Sequence, residues 1–403
     1  MTLTSVADAL QRILSGVMPL AREDVGLRFA AGRTLAHAVE ARMTQPPSDV
    51  SAMDGYAAIA ADCATVPARL KLIGESAAGR AFEGAVKSGE AVRIFTGAAM
   101  PPGADTVVIQ EDTSRDGDTV VIREAAGAGQ NIRRAGQDFR DGDVLIETGR
   151  RLTARGILLA AASGHAALSV FKRPSVAILA TGDELVEPGA ERDDGQIYSS
   201  NSYAIAALVE AAGGTAKLLG IAADNRDSLA AALLDANNVD ILVTTGGASV
   251  GDHDLVRPAL EVAGARLDFY RIAMRPGKPM FFGARTVSGK TQRVLGLPGN
   301  PVSALVTARV FLVPLIAKLL HRDAAFETVT AALAAPLAAN GPRAHYMRAK
   351  LDETLSPPRV AAMESQDSSL TRTLADANCL IVMPPDAPAA PAGALVDVMK
   401  LDF

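Results

Sequence analysis

The sequence predicts a multidomain α/β protein. Its parts are a central three-layer α/β domain with a parallel-rich sheet, a helical N-terminal segment, an inserted β-rich domain and a C-terminal β-barrel-like domain. Three observations carry this. The chain has 403 residues, enough for two to four domains with their own cores. From Val176 onward, apolar β-branched runs alternate with helical patterns, the signature of a parallel sheet covered on both faces. Between about Lys71 and Gly149 the texture is different, with short β-rich runs broken by glycine and proline.

Taken in order, Val6, Ala9, Leu10, Ile13, Leu14 and Val17 fall on one face of a helix, and a second helical pattern covers roughly Arg22 to Ala38. After Gln45-Pro46-Pro47 comes Ser51-Ala-Met-Asp54-Gly-Tyr56, which on its own is a polar Asp-Gly turn. The β-rich stretch predicts strands at Leu70–Ile73, Ala91–Phe95, Thr106–Gln110, Thr119–Ile122 and Val144–Ile146. It carries Arg93-Ile-Phe-Thr96-Gly97 and Arg133-Arg134-Ala-Gly-Gln-Asp138-Phe-Arg140. Three arginines around one aspartate suit an anion as well as they suit a solvated surface loop. Helical patterning returns over Thr153–Ser163, so the β module reads as an insertion. The predicted domains are 1–42 with 150–173, 43–149, 174–322 and 323–403.

The third region predicts strands at Val176–Thr181, Thr215–Ile221 and Val239–Val243, with helices at Ser202–Ala212, Asp227–Asn237 and Leu255–Ala263. Strands at Leu267–Ala273, Met280–Phe282 and Arg293–Leu297 follow, then a long helix over Pro301–Leu320. In such sheets ligands bind at the carboxyl ends of the strands. Polar residues collect there: Thr181-Gly-Asp183-Glu184, Asp224-Asn225, Arg275-Pro-Gly-Lys278-Pro279 and Leu297-Pro298-Gly-Asn300-Pro301. The stretch after the third strand runs Thr244-Thr-Gly246-Gly247-Ala248-Ser249-Val-Gly-Asp252-His253-Asp254 into a helix. Glycines opening a helix present backbone N–H groups that favour anions. Carboxylates beside them repel phosphate unless a cation intervenes, so the pairing suggests a Mg²⁺-bridged phosphate site. On this stretch alone, acidic N-capping of an ordinary connection is the alternative. The last region predicts strands at Ala344–Leu351, Arg359–Met363 and Leu380–Met383. Arg348 and Gln366-Asp-Ser368-Ser369 within it read from pattern alone as surface-loop residues.

Composition narrows the classes. A net charge of −5 argues against bulk binding to nucleic acid or anionic membrane, and 4% aromatic residues with no Trp argue against stacking on single strands. The two cysteines, Cys63 and Cys379, lie far apart and form no CxxC. No signal-peptide pattern or run long enough to span a bilayer is expected, so the chain reads as cytoplasmic. Gly289-Lys-Thr291 lacks the preceding glycine of a phosphate-binding loop, since that position is Ala284, and a hairpin turn is simpler.

Six motifs stand in a fixed order: Ser51–Tyr56, Arg93–Gly97, Thr181-Gly-Asp-Glu-Leu185, Gly246-Gly-Ala-Ser-Val-Gly251 with Asp254, Pro276-Gly-Lys-Pro279 and Leu297-Pro-Gly-Asn-Pro-Val-Ser303. Over nearly its whole length the chain resembles the molybdopterin molybdenumtransferases of the MoeA type, related to the gephyrin E domain. The resemblance implies the last step of molybdenum cofactor synthesis, in which adenylylated molybdopterin and molybdate give cofactor and AMP with Mg²⁺. It implies a homodimer of four-domain subunits with each cleft between one α/β domain and the partner's inserted domain. Glu184, Asp224 and Asp254 would be catalytic and hold the metal. Asp54, Thr96 and Asp138 would reach the site from the partner. Gly246, Gly247 and Ser249 would cradle phosphate, and Pro298 and Pro301 would shape the pterin pocket. Arg271, Arg275, Lys278, Arg348 and Ser368 would bind substrate, molybdate among them. The family often has lysines where this chain has Arg271 and Arg275, which changes a point charge for a planar fork. Molybdopterin adenylyltransferase is a further candidate partner. Two alternatives stay open: a non-catalytic pterin-binding scaffold, against which the four carboxylates Asp54, Glu184, Asp224 and Asp254 argue, and adenylyltransferase activity itself. Molybdenum and tungsten are not distinguished.

Overall fold

The protein is described from a computed structural model, which covers residues 3–247, 255–269 and 271–401. The central sheet has six strands: in spatial order Thr215–Ala222, Ser175–Thr181, Ile241–Thr245, Lys290–Leu297, Phe281–Val287 and Arg266–Phe269. The first four are parallel; Phe281–Val287 runs antiparallel to them, and Arg266–Phe269 antiparallel to Phe281–Val287. Side chains of the Ser175–Thr181 strand divide between two cores. Val176 and Ile178 enter one with the long helix, and Ala177 and Leu179 enter the other with the helices Arg226–Asp235 and Val256–Val262. Burial on both faces is why these strands read as continuous apolar runs. Each such Val, Leu or Ile contributes about 1.5–3 kcal/mol by leaving water.

The long helix runs Pro301–Leu319, with one π turn over Ala308–Leu312. It is long and apolar enough to cross a membrane, the one such helix among the described residues, but 78% of its apolar window is buried inside the protein. It is a core helix of the sheet's first face. The hairpin between Phe281–Val287 and Lys290–Leu297 turns at Ser288 (φ 49°) and Gly289 (φ 78°), the two-residue turn expected where a nucleotide loop was rejected.

The N-terminal segment differs from its pattern. The helix Val6–Leu14 forms, capped by the Ser5 hydroxyl, which accepts from the Asp8 amide, and its Ala9 and Ile13 pack into the core of the α/β domain. The helix expected over Arg22–Ala38 does not form. Arg22–Gly26 is a strand paired antiparallel with Ala167–Phe171, and only a 3₁₀ turn, Leu27–Phe29, follows. The apolar residues there, Leu35 and Val39, meet Leu168 and Val170 across the ladder, a tertiary pairing that overrides local periodicity. The helix Ala154–Ala162 forms as expected, with Thr153 accepting from the Gly156 amide.

The inserted module is a six-stranded sheet, ordered Thr106–Ile109, Gly55–Ala58, Glu90–Ile94, Ala68–Ser76, Thr119–Ile122 and Thr113–Asp116. At the C-terminus, Ala344–Asp352, Arg359–Ala362, Thr328–Leu333, Leu395–Lys400 and Cys379–Met383 pair in sequence around a closed five-stranded barrel. The strand expected over Leu267–Ala273 stops at Phe269. Met274–Arg275 instead joins the barrel, parallel to Ala344–His345. This ties the loop carrying Lys278 to both domains.

Candidate functional site

Three parallel strands end side by side at Thr181, Thr245 and Leu297, and the loops beyond them open a cleft of about 800 Å³. The loop after Thr181 folds back through a short parallel pairing of Leu185–Val186 with Ile197–Tyr198, which holds Glu184 on the rim. Gly246 has φ +85°, and a Cβ there would collide with the Thr181 carbonyl. Only glycine lets these two strand ends approach so closely. Gly299 packs against Gly246 from the third strand end.

Two helices begin at the cleft. Asn201–Ala212 starts beside it, and the Asn201 amide donates to the Gly299 carbonyl at 2.7 Å. The long helix starts at Pro301, whose ring fills the first helical position where no N–H is needed. Orphan N–H groups of both helices thus lie near one cavity, favourable ground for phosphate. Asn300 donates to the Ser368 hydroxyl at 2.9 Å and the Val302 amide to the Ser368 carbonyl at 3.2 Å, which docks the barrel loop on the helix start.

The cleft brings together Glu184, Asp224, Gly246, Gly247, Lys278, Pro298 and Pro301. Ser369 lines it and Ser368 stands beside it through Asn300. Among the described residues, the Glu184 carboxylate and the Lys278 ammonium have no hydrogen-bond or ion-pair partner. The Asp224 amide donates to Asp183 at 3.0 Å. Glu184 and Asp224 are hard oxygen donors of the kind Mg²⁺ takes, though no group of three such ligands occurs among the described residues. Ser249 and Asp254 lie outside the described residues.

Other expected residues stand elsewhere. Arg348 does not line the cleft: it is 1% exposed, and its guanidinium donates to the carbonyls of Ser365 (3.2 Å) and Leu370 (3.4 Å). It shapes the loop that carries Ser368. Arg275 sits where its strand meets the barrel, and Arg271 precedes it with its carbonyl accepting from the Thr4 amide. Burial first, then the charges of Arg275, Arg343 and Arg348, push the neighbouring His345 down to about 4, so it is neutral.

Asp54, Thr96 and Asp138 belong to the inserted module. The amide and hydroxyl of Thr96 donate to Asp54 Oδ1 at 2.7 and 2.8 Å. Those bonds hold the Asp54 carboxyl below its ordinary range. The surrounding motif residues are its frame: Tyr56 pairs with Arg93, whose guanidinium lies 5.1 Å from the Tyr56 ring centroid and 4.8 Å from that of Phe95. Asp138 lines a second cavity of about 520 Å³ with Arg80, Arg133 and Gly97. This cavity shares no lining residue with the cleft.

Sequence reasoning missed Asn201 and Ser369 as cleft residues and gave Asn300, within its strand-end motif, no role of its own. The polar run Ser199-Ser200-Asn201 ahead of an apolar helix was a readable helix-start signal. Ser369 carried none, because the barrel loop reaches the cleft only through tertiary docking.

A cleft at the carboxyl ends of parallel strands, beside two helix N-termini, is where α/β proteins bind their ligands. Comparison with known proteins makes this specific. Residues 4–164 match the MoeA N-terminal region (domain I and II), 177–318 a probable molybdopterin binding domain, and 330–401 the MoeA C-terminal region (domain IV). Molybdopterin molybdenumtransferase 2 of Mycobacterium tuberculosis is 36% identical over 411 residues, covering 97% of this chain and 98% of its own. The Haemophilus influenzae molybdopterin molybdenumtransferase is 39% identical over 303 residues, covering 75% and 74%. The crystal structure of the molybdopterin biosynthesis MoeA protein from Pyrococcus horikosii superposes with TM-score 0.82 at 30% identity, covering 100% of both chains. The chain belongs to the MoeA family of molybdopterin molybdenumtransferases, and it is a transferase of molybdenum cofactor biosynthesis.

Proposed function

We propose that the cleft takes adenylylated molybdopterin and molybdate and releases AMP as molybdenum is placed on the pterin. The observation that carries this reading is the convergence of Glu184, Asp224, Lys278 and two helix N-termini on one cavity large enough for a dinucleotide-sized anion. In the reaction the P–O bond of the phosphoanhydride breaks. An oxygen from water or molybdate bonds to phosphorus, and the freed phosphate oxygen leaves with the pterin. The two dithiolene sulfurs bond to molybdenum, and one oxo group leaves as water with the two thiol protons. Cleavage beside a polyanion depends on charge neutralisation and positioning more than on a protein nucleophile.

Glu184 and Asp224, with Asp254, would hold Mg²⁺, which when bound neutralises phosphate charge in the cleft. Lys278 binds an equatorial phosphate or molybdate oxygen as a mobile point charge, and Arg275 and Arg271 add positive potential along the adjoining strand. The amides of Gly246 and Gly247 approach the phosphate because no Cβ stands in the way. Ser368 and Ser369 offer hydroxyls to a tetrahedral oxyanion, with Arg348 holding their loop. Pro298 and Pro301 form a rigid wall for the pterin.

The chain acts as a homodimer in this reading, with Asp54, Thr96 and Asp138 of one subunit completing the other's cleft. AMP release from adenylylated molybdopterin, dependent on both molybdate and Mg²⁺, tests the proposal. Consumption of ATP with pyrophosphate release would support the adenylyltransferase instead. Tight pterin binding without turnover would support a scaffold.

A further inference from the structure

At the opposite ends of the two helices that start at the cleft lies a separate cavity of about 360 Å³. Leu208 and Ala212 of one helix and Val313 and Ala317 of the other form its apolar side. Its polar side holds four cations, Arg151, Arg309, Arg322 and Lys400, against two carboxylates, Asp323 and Glu327. The cations come from the segment before the Ala154–Ala162 helix, from the long helix and its exit, and from the last barrel strand.

Local partners account for some of this charge. Lys400 pairs with Glu353 at 2.6 Å, and Arg309 lies 5.8 Å from the Phe326 ring centroid. One terminal nitrogen of Arg322 donates to the Ala212 carbonyl, capping the end of its helix. Two groups are left over. Arg322 Nε is buried without an acceptor. The Arg151 guanidinium has no hydrogen-bond or ion-pair partner among the described residues. Neither Asp323 nor Glu327 bonds to either arginine. Arg151 and Arg322 line the same cavity, where burial first, and then the charge of Arg151, lower the Arg322 pKa. An anion between the two planar forks would offset the repulsion and give the exposed Arg151 guanidinium a charge-assisted partner.

We propose that this cavity binds a phosphate-type oxyanion, inorganic phosphate or the phosphate of a small ester, between Arg151 and Arg322. Its occupation ties the segment before the Ala154–Ala162 helix to the exit of the long helix. The site is distinct from the cleft and holds whether or not the cleft performs the transfer proposed above.

The test is calorimetric titration of the full-length protein with inorganic phosphate at constant ionic strength, with chloride as the control anion. Wild type and Lys278→Ala, in which the cleft is altered, should bind one phosphate saturably with the same affinity here. Arg151→Gln should weaken that binding at least tenfold, and Arg322→Lys should weaken it as the fork is lost. If Arg322→Lys fails to fold, Arg151→Gln alone decides. A parallel titration with AMP, read as the difference between wild type and Arg151→Gln, identifies the source. Equal affinity for phosphate and AMP assigns the site to the phosphate group, and tighter AMP binding extends it to the nucleoside. Unchanged phosphate binding in Arg151→Gln, or no saturable binding in the wild type, would overturn the proposal.

Discussion

The cleft at the strand ends and the cavity around Asp138 both carry motif residues, yet they are built in opposite ways. The cleft is walled by loops from several strands, by two helix starts and by a docked barrel loop, and Glu184, Asp224 and the Gly246-Gly247 turn come from the α/β domain itself. The Asp138 cavity lies in the inserted module, where the exposed Arg80, Arg133 and Asp138 stand among proline, alanine and glycine. Asp54 is fixed by Thr96 but lines neither the cleft nor this cavity. A carboxylate so firmly held without a local task is explained if it works against another surface. The cleft is the catalytic half by this reading, and the inserted module supplies the rest to a partner.

The largest effect that would sharpen this contrast lies in the cleft. Glu184→Gln and Asp224→Asn are expected to lower turnover by roughly 10²–10³-fold with unchanged folding, comparable to removing one preorganised electrostatic group. Near-wild-type rates, measured as AMP release, would remove the cleft from the chemistry. Next comes subunit mixing. Glu184→Gln and Asp138→Ala are each expected to be nearly inactive alone, whereas co-refolded mixtures should recover about a quarter of wild-type activity, since half of randomly paired dimers carry one intact composite site. No recovery would leave the Asp138 cavity without a catalytic role.

A smaller effect is expected at Arg348. Arg348→Ala strands the Ser365 and Leu370 carbonyls and opens a buried hole, at a cost of about 2–4 kcal/mol. The loosened Ser368 loop should raise the KM for molybdate more than it lowers kcat. Urea denaturation and steady-state kinetics separate the two.

The smallest is a pH effect at His345. Its folded pKa, lowered to about 4, lies below the unfolded value near 6.5. The unfolded chain therefore binds the proton first, so the contribution is fully present above pH 6.5 and is lost as pH falls toward 4. His345→Gln should flatten stability against pH across that window, read by thermal denaturation. An unchanged slope would show that the buried imidazole is not the group titrating.

How much of this was legible follows the same divide. The α/β domain could be read because its central strands are buried on both faces, so periodicity reports burial directly: Val176–Ala180 and Ile241–Val243 are apolar throughout. Glu184, Asp224, Gly246 and Lys278 followed, because they stand at strand ends. The segment Arg22–Ala38 was misread because Val25, Leu27 and Leu35 meet a ladder from beyond the inserted module, and sequence spacing holds no trace of that partner. Arg348 was misplaced for a related reason. A charged residue in a strand pattern looks solvent-facing until its carbonyl partners, brought by the 365–370 loop, are seen. The strands Thr328–Leu333 and Leu395–Lys400 escaped notice because alanine, threonine and charge dilute their apolar pattern.

The central claim is tested most directly by AMP release from adenylylated molybdopterin, with molybdate and Mg²⁺ added separately and together. The account predicts release that needs both ions, with molybdenum recovered on the pterin. Release independent of molybdate, or tight binding with no release under any ion condition, would contradict it.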